Sequence, residues 1–335
     1  MNISEIDEEM ESTASDMNEY MLMRLKGNPS ELYSASAHYI SSGGKRLRPF
    51  MVVKACEMFR GTKIMALPAA ASVEMIHNFS LVHDDIMDND DVRHSVPTVH
   101  KSYGLPLAIL AGDVLFSKAY QMIVKNCGTL GISSIRICEM VTRLSNACVD
   151  VCEGQALDLG MAFEDKFVDE QEYISMITKK TAALFGLSCA LGVLSAPDSN
   201  EQDTFALTQF GENVGIAFQL IDDLIGVIGD PKLTGKSVGN DLREGKKTLP
   251  ILLALQISDS GGREKILRVF ASRNASKIEI EEAVKTISRL GIEEAVRDKA
   301  RQHIQKAMES ISRYDDSKAK RKIIASAHFI VERTV

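Results

Sequence analysis

The stretch ALPAAASVEMIHNFSLVHDDIMDN, residues 66–89, sets the fold class of this chain. It is rich in Ala, Leu and Met with few strand signals, so it reads as one long helix starting near Leu67. Directly after the apolar run, Asp84, Asp85, Asp88, Asp90 and Asp91 crowd into eight positions. Asp84 and Asp88 stand four apart, so their carboxylates share one helix face and repel, weakening a bare helix by about 0.2–0.5 kcal/mol. A hard divalent cation relieves that repulsion: Mg2+ takes carboxylate oxygens, keeps several waters and gives its remaining positions to phosphate oxygens. A solvated helix end with its acids in water accounts for this motif alone equally well.

Helical periodicity continues along the chain. LAILAGDVLFSKAYQMIVKN (107–126), ISMITKKTAALFGLSCALGVLS (174–195) and DTFALTQFGENVGIAFQLIDDLIGVIGD (203–230) all read as helices. IEIEEAVKTISRLGIEEAVRDKARQHIQKAMESI (278–311) alternates charged and apolar faces, as two amphipathic helices broken near Gly291. No Rossmann glycine fingerprint, phosphate-binding P-loop or internal repeat is present. Breakers cluster at 41–49, 93–106, 194–200, 229–250 and 258–263, but none is a convincing domain linker. The expected architecture is a single all-α domain over residues 1–335, with about a dozen helices.

Composition agrees with a globular protein. Of 335 residues, 45% are hydrophobic and 25% charged, ample for a sizeable core. The net charge of −7 argues against a nucleic-acid partner, which calls for a basic face. The six cysteines, Cys56, Cys127, Cys138, Cys148, Cys152 and Cys189, form no CxxC or Cys/His zinc pattern and are expected to be reduced core residues of a cytoplasmic protein. The acidic start MNISEIDEEMESTASDMNEY lacks a signal peptide's basic and apolar regions. No apolar run is expected to reach the roughly eighteen residues of a membrane span.

A second acidic pair strengthens the first. In FQLIDDLIGVIGD (218–230), Asp222 and Asp223 again follow an apolar helix, with Gln219 one turn earlier. Two helices ending in paired acids are able to hold a cluster of metal ions. Basic residues sit in the loops between: Lys45, Arg46 and Arg48 in GGKRLRP, Arg93 after the first acids, Lys179 and Lys180 before Thr181, and Lys236, Arg243, Lys246 and Lys247 in TGKSVGNDLREGKK. Singly these are ordinary surface cations; together with metal-binding carboxylates they suit a diphosphate-bearing substrate.

GGKRLRP, SLVHDDIMDNDDVR, KKTAALFG, GIAFQLIDDLIG and GKSVGNDLREGKKTLP, in this order and spacing, closely resemble the motifs of the trans-prenyltransferases, the isoprenyl diphosphate synthases. The resemblance spans roughly residues 35–250. It implies an all-α isoprenoid synthase bundle around a central cavity, a homodimer, and a reaction in which an allylic diphosphate ionises and alkylates isopentenyl diphosphate. It also implies residue roles. Asp84 and Asp88 resemble the ligands of two Mg2+ ions, with Asp85 in support, and Asp222, beside Asp223, that of a third. Lys180, Thr181, Gln219, Lys236, Lys246 and Arg93 resemble the contacts to the allylic diphosphate and carbocation. Lys45, Arg48 and His77 resemble those to isopentenyl diphosphate. Phe79 and Ser80, five and four residues before Asp84, resemble the positions that set product length. Phe79 lies about 7.5 Å along the helix axis from Asp84, and one bulky ring beside a small residue suggests a C20 product, geranylgeranyl diphosphate. A farnesyl diphosphate synthase is the nearer alternative, and a non-catalytic regulatory subunit, which typically loses the acids, the farther one. A terpene cyclase has no need of the GGKRLRP loop, and a phosphohydrolase forms no carbon–carbon bond.

Two positions depart from the family pattern. Gly226 stands where a full DDxxD has its last aspartate, and His94 follows Arg93 where a second arginine is usual. Near its reference pKa of about 6.5, a histidine carries only about a tenth of a charge at pH 7.5. His94→Arg is therefore expected to lower the apparent KM for isopentenyl diphosphate about threefold or more at pH 7.5, with the gap narrowing toward pH 6; equal KM values at pH 7.5 would remove His94 from the substrate site.

Overall fold

The computed structural model describes residues 3–93, 95–163, 167–229, 239–272 and 274–332. Among them are sixteen α-helices, two π-helical segments and one two-stranded ribbon pairing Val92 with Pro97 and Arg93 with Val96. The all-α expectation holds. The helix count exceeds the expected dozen because short helices such as Val99–Tyr103 and Asn240–Glu244 lie in stretches whose breakers read as loop. The chain forms two compact units: Met1–Val149 with Leu184–Gly211 and Arg313–Ser326, and Asp150–Ala183 with Glu212–Ser312 and Ala327–Val335.

The first unit holds α1 (Ile3–Leu22), α2 (Ser30–Ser41), α3 (Leu47–Met58), α4 (Lys63–Met87), α5 (Val99–Tyr103) and α6 (Leu105–Gln121), the last continuing as a π segment, Met122–Cys127. It also holds parts of α7 (Ser134–Phe163), α9 (Ala183–Ser195), α10 (Glu201–Ile228) and α16 (Lys318–Val331). Helix α4 carries the 66–89 stretch as far as Met87. It starts one turn earlier than Leu67, because the Thr62 hydroxyl accepts the Met65 N–H and caps it. Ala66, Ala69, Ala70 and Ala71 are wholly buried, and side chains ending at Cβ let α3 and α6 pack close. Helix α9 is buried from Leu184 to Ser195, apolar on every side. At Gly192 its backbone meets α3 so closely that a Cβ would lie 2.3 Å from the Val52 carbonyl oxygen.

The second unit holds the rest of α7 and α10, with α8 (Glu170–Ile177), a π segment (Thr178–Ala182), α11 (Asn240–Glu244), α12 (Leu249–Ile257), α13 (Ser260–Val269), α14 (Lys277–Arg289) and α15 (Ile292–Ser310). Asp169 with Glu172 and Ser276 with Glu279 form capping boxes that start α8 and α14. Buried Ile280, Ala283, Val284 and Ile287 give α14 the expected apolar face, and Gly291, at φ 73°, breaks it from α15.

Two sequence expectations need correction. Leu105–Cys127 and Glu170–Ser195 are helical segments long and apolar enough, by length and composition, to cross a membrane. The sequence scan missed them because Asp113, Lys118, Lys179 and Lys180 interrupt the apolar runs without ending the helices. Glu170–Ser195 is mostly buried, as a core helix is, whereas less than half of Leu105–Cys127 is. The cysteines are all free, but Cys138 and Cys152 are exposed rather than core. Burial pushes the Cys56 and Cys127 thiols up to about 12.

Candidate active site

In the first unit the aspartates divide their work. Asp84 is half-buried, and Asp88, the C-cap of α4, is exposed; the Asp88 N–H bonds the Asp84 carbonyl at 2.8 Å, which keeps the two side chains on one face. Asp85 points the other way and is fully buried. Its carboxylate accepts the Tyr39 hydroxyl and, at 2.6 Å, the Nε–H of Arg93. Burial opposes the Arg93 charge, but the carboxylates, Asp85 first, outweigh it and raise its pKa. Burial and the bond to Asp85 likewise raise that of Tyr39. The loop beyond is tied down: Thr98 bonds the Asp90 and Asp91 carbonyls, and Lys101 pairs with the Asp91 carboxylate at 2.8 Å. Thus Asp85 and the loop acids hold structure, while Asp84 and Asp88 remain on an accessible face.

The GGKRLRP turn lies in the same unit. Gly43 and Gly44 adopt φ of 97° and 129°, which glycine tolerates. Lys45 is largely exposed, 3.7 Å from Asp7, and the Arg48 guanidinium stacks 4.4 Å over the Phe185 ring. Arg46, which the sequence grouped with these cations, is instead buried against Glu74. His77 lies on α4 one residue before Asn78, whose amide donates to Glu74. Phe79 packs its ring on His83 and Phe116 at 4.7 and 5.3 Å, and the Ser80 hydroxyl bonds the His77 carbonyl. His83 also nears the Ile109 carbonyl and fills the space left by Gly112, a packing role.

The second unit repeats the division. Asp222 is half-buried, and Asp223 is buried. Asp223 accepts the Tyr173 hydroxyl at 2.5 Å and the Gln219 amide at 2.6 Å. Burial, then the charge of Asp241, pushes its carboxyl up to about 7. Burial and Asp223 hold the Tyr173 phenol well above its usual range. The other end of the Gln219 amide accepts the Thr181 hydroxyl at 2.7 Å, so Thr181, Gln219, Asp223 and Tyr173 form one hydrogen-bonded chain.

Thr181, Lys180 and Lys179 lie on the π segment, a widened turn common at functional sites. Gly154 on α7 lets that segment approach, since a Cβ there would fall 2.3 Å from the Lys180 nitrogen. Asp158, one turn on, accepts Lys180 Nζ at 2.5 Å. Beside it the buried Gln155 amide finds no hydrogen-bond partner among the described residues, an orphan that calls for a polar ligand. Lys246 Nζ pairs with Glu244 at 2.7 Å. His94 and Lys236 lie outside the described residues.

Sequence reasoning missed Tyr39, Tyr173 and Asp158, all far in sequence from the carboxylates or cation they bond, and the orphaned Gln155; tyrosines alone carry no motif. It also read Gly226 only as a lost acid. A Cβ at Gly226 would lie 2.2 Å from the Asp241 carboxylate, so that carboxylate already fills the space where a side chain at 226 would go.

Among the described residues, no three His, Cys, Asp or Glu side chains form a group able to hold a metal ion by themselves. Two carboxylates on one helix face fit Mg2+ all the same, because that ion keeps water and takes substrate phosphate oxygens rather than needing an all-protein cage.

Gly226→Asp would force a second carboxylate into the space of Asp241. It is expected to lower unfolding stability by about 2 kcal/mol or more in denaturant titrations, with Asp241→Gly in the same chain recovering part of the loss. Unchanged stability of Gly226→Asp would mean that Asp241 gives way freely.

A family model described as Polyprenyl synthetase matches residues 29–287. The chain is 44% identical over 257 residues to a short chain isoprenyl diphosphate synthase of Methanocaldococcus jannaschii, covering 76% of each chain. It is 40% identical over 279 residues to a geranylgeranyl diphosphate synthase of Sulfolobus acidocaldarius, covering 83% of each. The crystal structure of geranylgeranyl pyrophosphate synthetase from Pyrococcus horikoshii superposes with a TM-score of 0.90 at 37% identity, covering 98% of this chain and 99% of that one. With its carboxylate pairs, cation-bearing turn and all-α build accounted for residue by residue, the chain belongs to the polyprenyl synthetase family, whose members are prenyltransferases.

Proposed function

We propose that this chain condenses isopentenyl diphosphate with allylic diphosphates (dimethylallyl, geranyl and farnesyl) and stops at geranylgeranyl diphosphate. The carrying observation is that Asp84 and Asp88 share an accessible face at the end of α4, while Asp85 is buried onto Tyr39 and Arg93. The relatives named geranylgeranyl diphosphate synthase support the product.

Asp84 and Asp88 hold two Mg2+ ions and Asp222 a third; magnesium is the ion the family generally uses. Bound there, it neutralises the charge that builds on the departing diphosphate. Lys180, Lys236, Lys246 and Arg93 neutralise the remaining diphosphate oxygens. The allylic C–O bond breaks with its electron pair leaving on the diphosphate. Thr181 and Gln219 turn hydroxyl and amide oxygens toward the resulting cation. The isopentenyl double bond, its diphosphate held by Lys45, Arg48, His77 and His94, supplies the electrons of the new C–C bond. The proton then lost passes to the released diphosphate. Phe79, with Ser80 beside it, closes the space for the growing chain. The chain acts as one catalytic domain in the cytoplasm.

The deciding experiment supplies each allylic primer with isopentenyl diphosphate and Mg2+ and sizes the product. A C20 product is expected, lost on chelation, with kcat/KM down about 10³-fold in Asp84→Ala (roughly 4 kcal/mol) and products lengthened in Phe79→Ala. A C15 product would favour the farnesyl reading; phosphate release without elongation, or no reaction, would end the proposal.

We also propose that the chain works as a homodimer. Leu105, Ile109, Leu110 and Val124 are exposed along α6 and its π extension, more apolar surface than one helix of a monomer usually shows. Sedimentation is expected to give a dimer that Ile109→Asp weakens; a monomeric wild type at micromolar concentration would contradict this.

A further inference from the structure

Arg46 sits between two cations assigned to isopentenyl diphosphate, yet its own guanidinium is withdrawn from solvent. Nε donates to Asn18 Oδ1 at 2.8 Å, Nη1 to Glu74 Oε1 at 2.8 Å, and Nη2 to the Ile40 carbonyl at 2.9 Å and the Tyr39 carbonyl at 3.5 Å. Side chains of both ion-pair partners are almost fully buried. Its backbone is left-handed, φ 48° and ψ 45°, immediately before α3, a conformation that non-glycine residues rarely adopt without support. One planar fork therefore ties together α1 through Asn18, the end of α2 through two carbonyls, and α4 through Glu74.

The Glu74 tie leads toward the proposed isopentenyl diphosphate contacts. Glu74 also accepts from Asn78, the neighbour of His77. Lys45 precedes Arg46 in the turn, and Arg48 follows it in the first turn of α3.

We propose that Arg46, clamped by Glu74, is a positioning residue for isopentenyl diphosphate. It touches no substrate. It holds the 43–46 turn in the left-handed form that fixes where Lys45 and Arg48 stand relative to His77. A lysine cannot replace it, since an ammonium reaches Glu74 but does not span two carbonyls and Asn18 at once. This rests on the proposed function, and the test separates the two: wild type must elongate with isopentenyl diphosphate, or the functional reading itself fails.

Given that elongation, Arg46→Lys, Arg46→Gly and Glu74→Gln are compared by steady-state kinetics and by calorimetric titration of isopentenyl diphosphate. Arg46→Gly keeps the left-handed backbone without the clamp; Glu74→Gln keeps the shape and an acceptor oxygen, and serves if the Arg46 variants fail to fold. The expected result is a rise of about tenfold or more in KM and Kd for isopentenyl diphosphate in the Arg46 variants and about threefold in Glu74→Gln, with KM for the allylic primer within twofold of wild type. Equal losses for both substrates, or unchanged isopentenyl diphosphate affinity with only a lower melting temperature, would overturn the proposal and leave Arg46 a fold-stabilising residue.

Discussion

The structure depends on one recurring problem, two adjacent carboxylates at the end of an apolar helix. Placing both in solvent would leave neither fixed, and burying both unpartnered would cost several kcal/mol. The chain meets it the same way in each unit. The first aspartate of the pair, Asp84 or Asp222, stays half-exposed. The second, Asp85 or Asp223, turns inward onto a tyrosine hydroxyl and one further donor: Tyr39 with Arg93 in one unit, Tyr173 with Gln219 in the other. Burial and the carboxylate together raise the pKa of each phenol, so each tyrosine stays a proton donor across the working pH range. An acid pair that looks redundant in sequence is thus one accessible carboxylate and one buried anchor.

The anchors also carry the neighbouring chemistry. Arg93 is oriented by Asp85, and Gln219 by Asp223, so truncating an anchor would loosen the side chain it holds without removing it. Two different partners do the same job because what Asp85 and Asp223 need is a hydrogen-bond donor, charged or neutral, at a fixed distance.

Much of this was legible in the sequence. The long apolar helices, the break at Gly291 and the two acid pairs all follow from periodicity and spacing, which local sequence encodes. The π turn at Thr178–Ala182 was not, because a widened turn leaves no mark on the apolar periodicity, and its close packing on Gly154 of another helix is a tertiary contact. Nor was the fate of Arg46: GGKRLRP shows three cations alike, and only tertiary partners distinguish the one that is buried with Glu74. The exposed Cys138 and Cys152 follow the same rule, since a cysteine's burial depends on which helix face it occupies rather than on its apolar neighbours.

Gly226 shows how a motif and a volume differ. By pattern the second acidic motif lacks its last carboxylate. In space a carboxylate is there, supplied by Asp241 on α11, close enough that any Cβ at 226 would collide with it. Asp241 is buried, and its charge is the second-largest cause of the raised Asp223 pKa, after burial itself. The same negative charge therefore reaches the site from a different part of the chain. Position 226 must be glycine for that arrangement because only glycine lacks the atom that would occupy the same space. A residue read as lost from a motif is, on these distances, the condition for another residue to take its place.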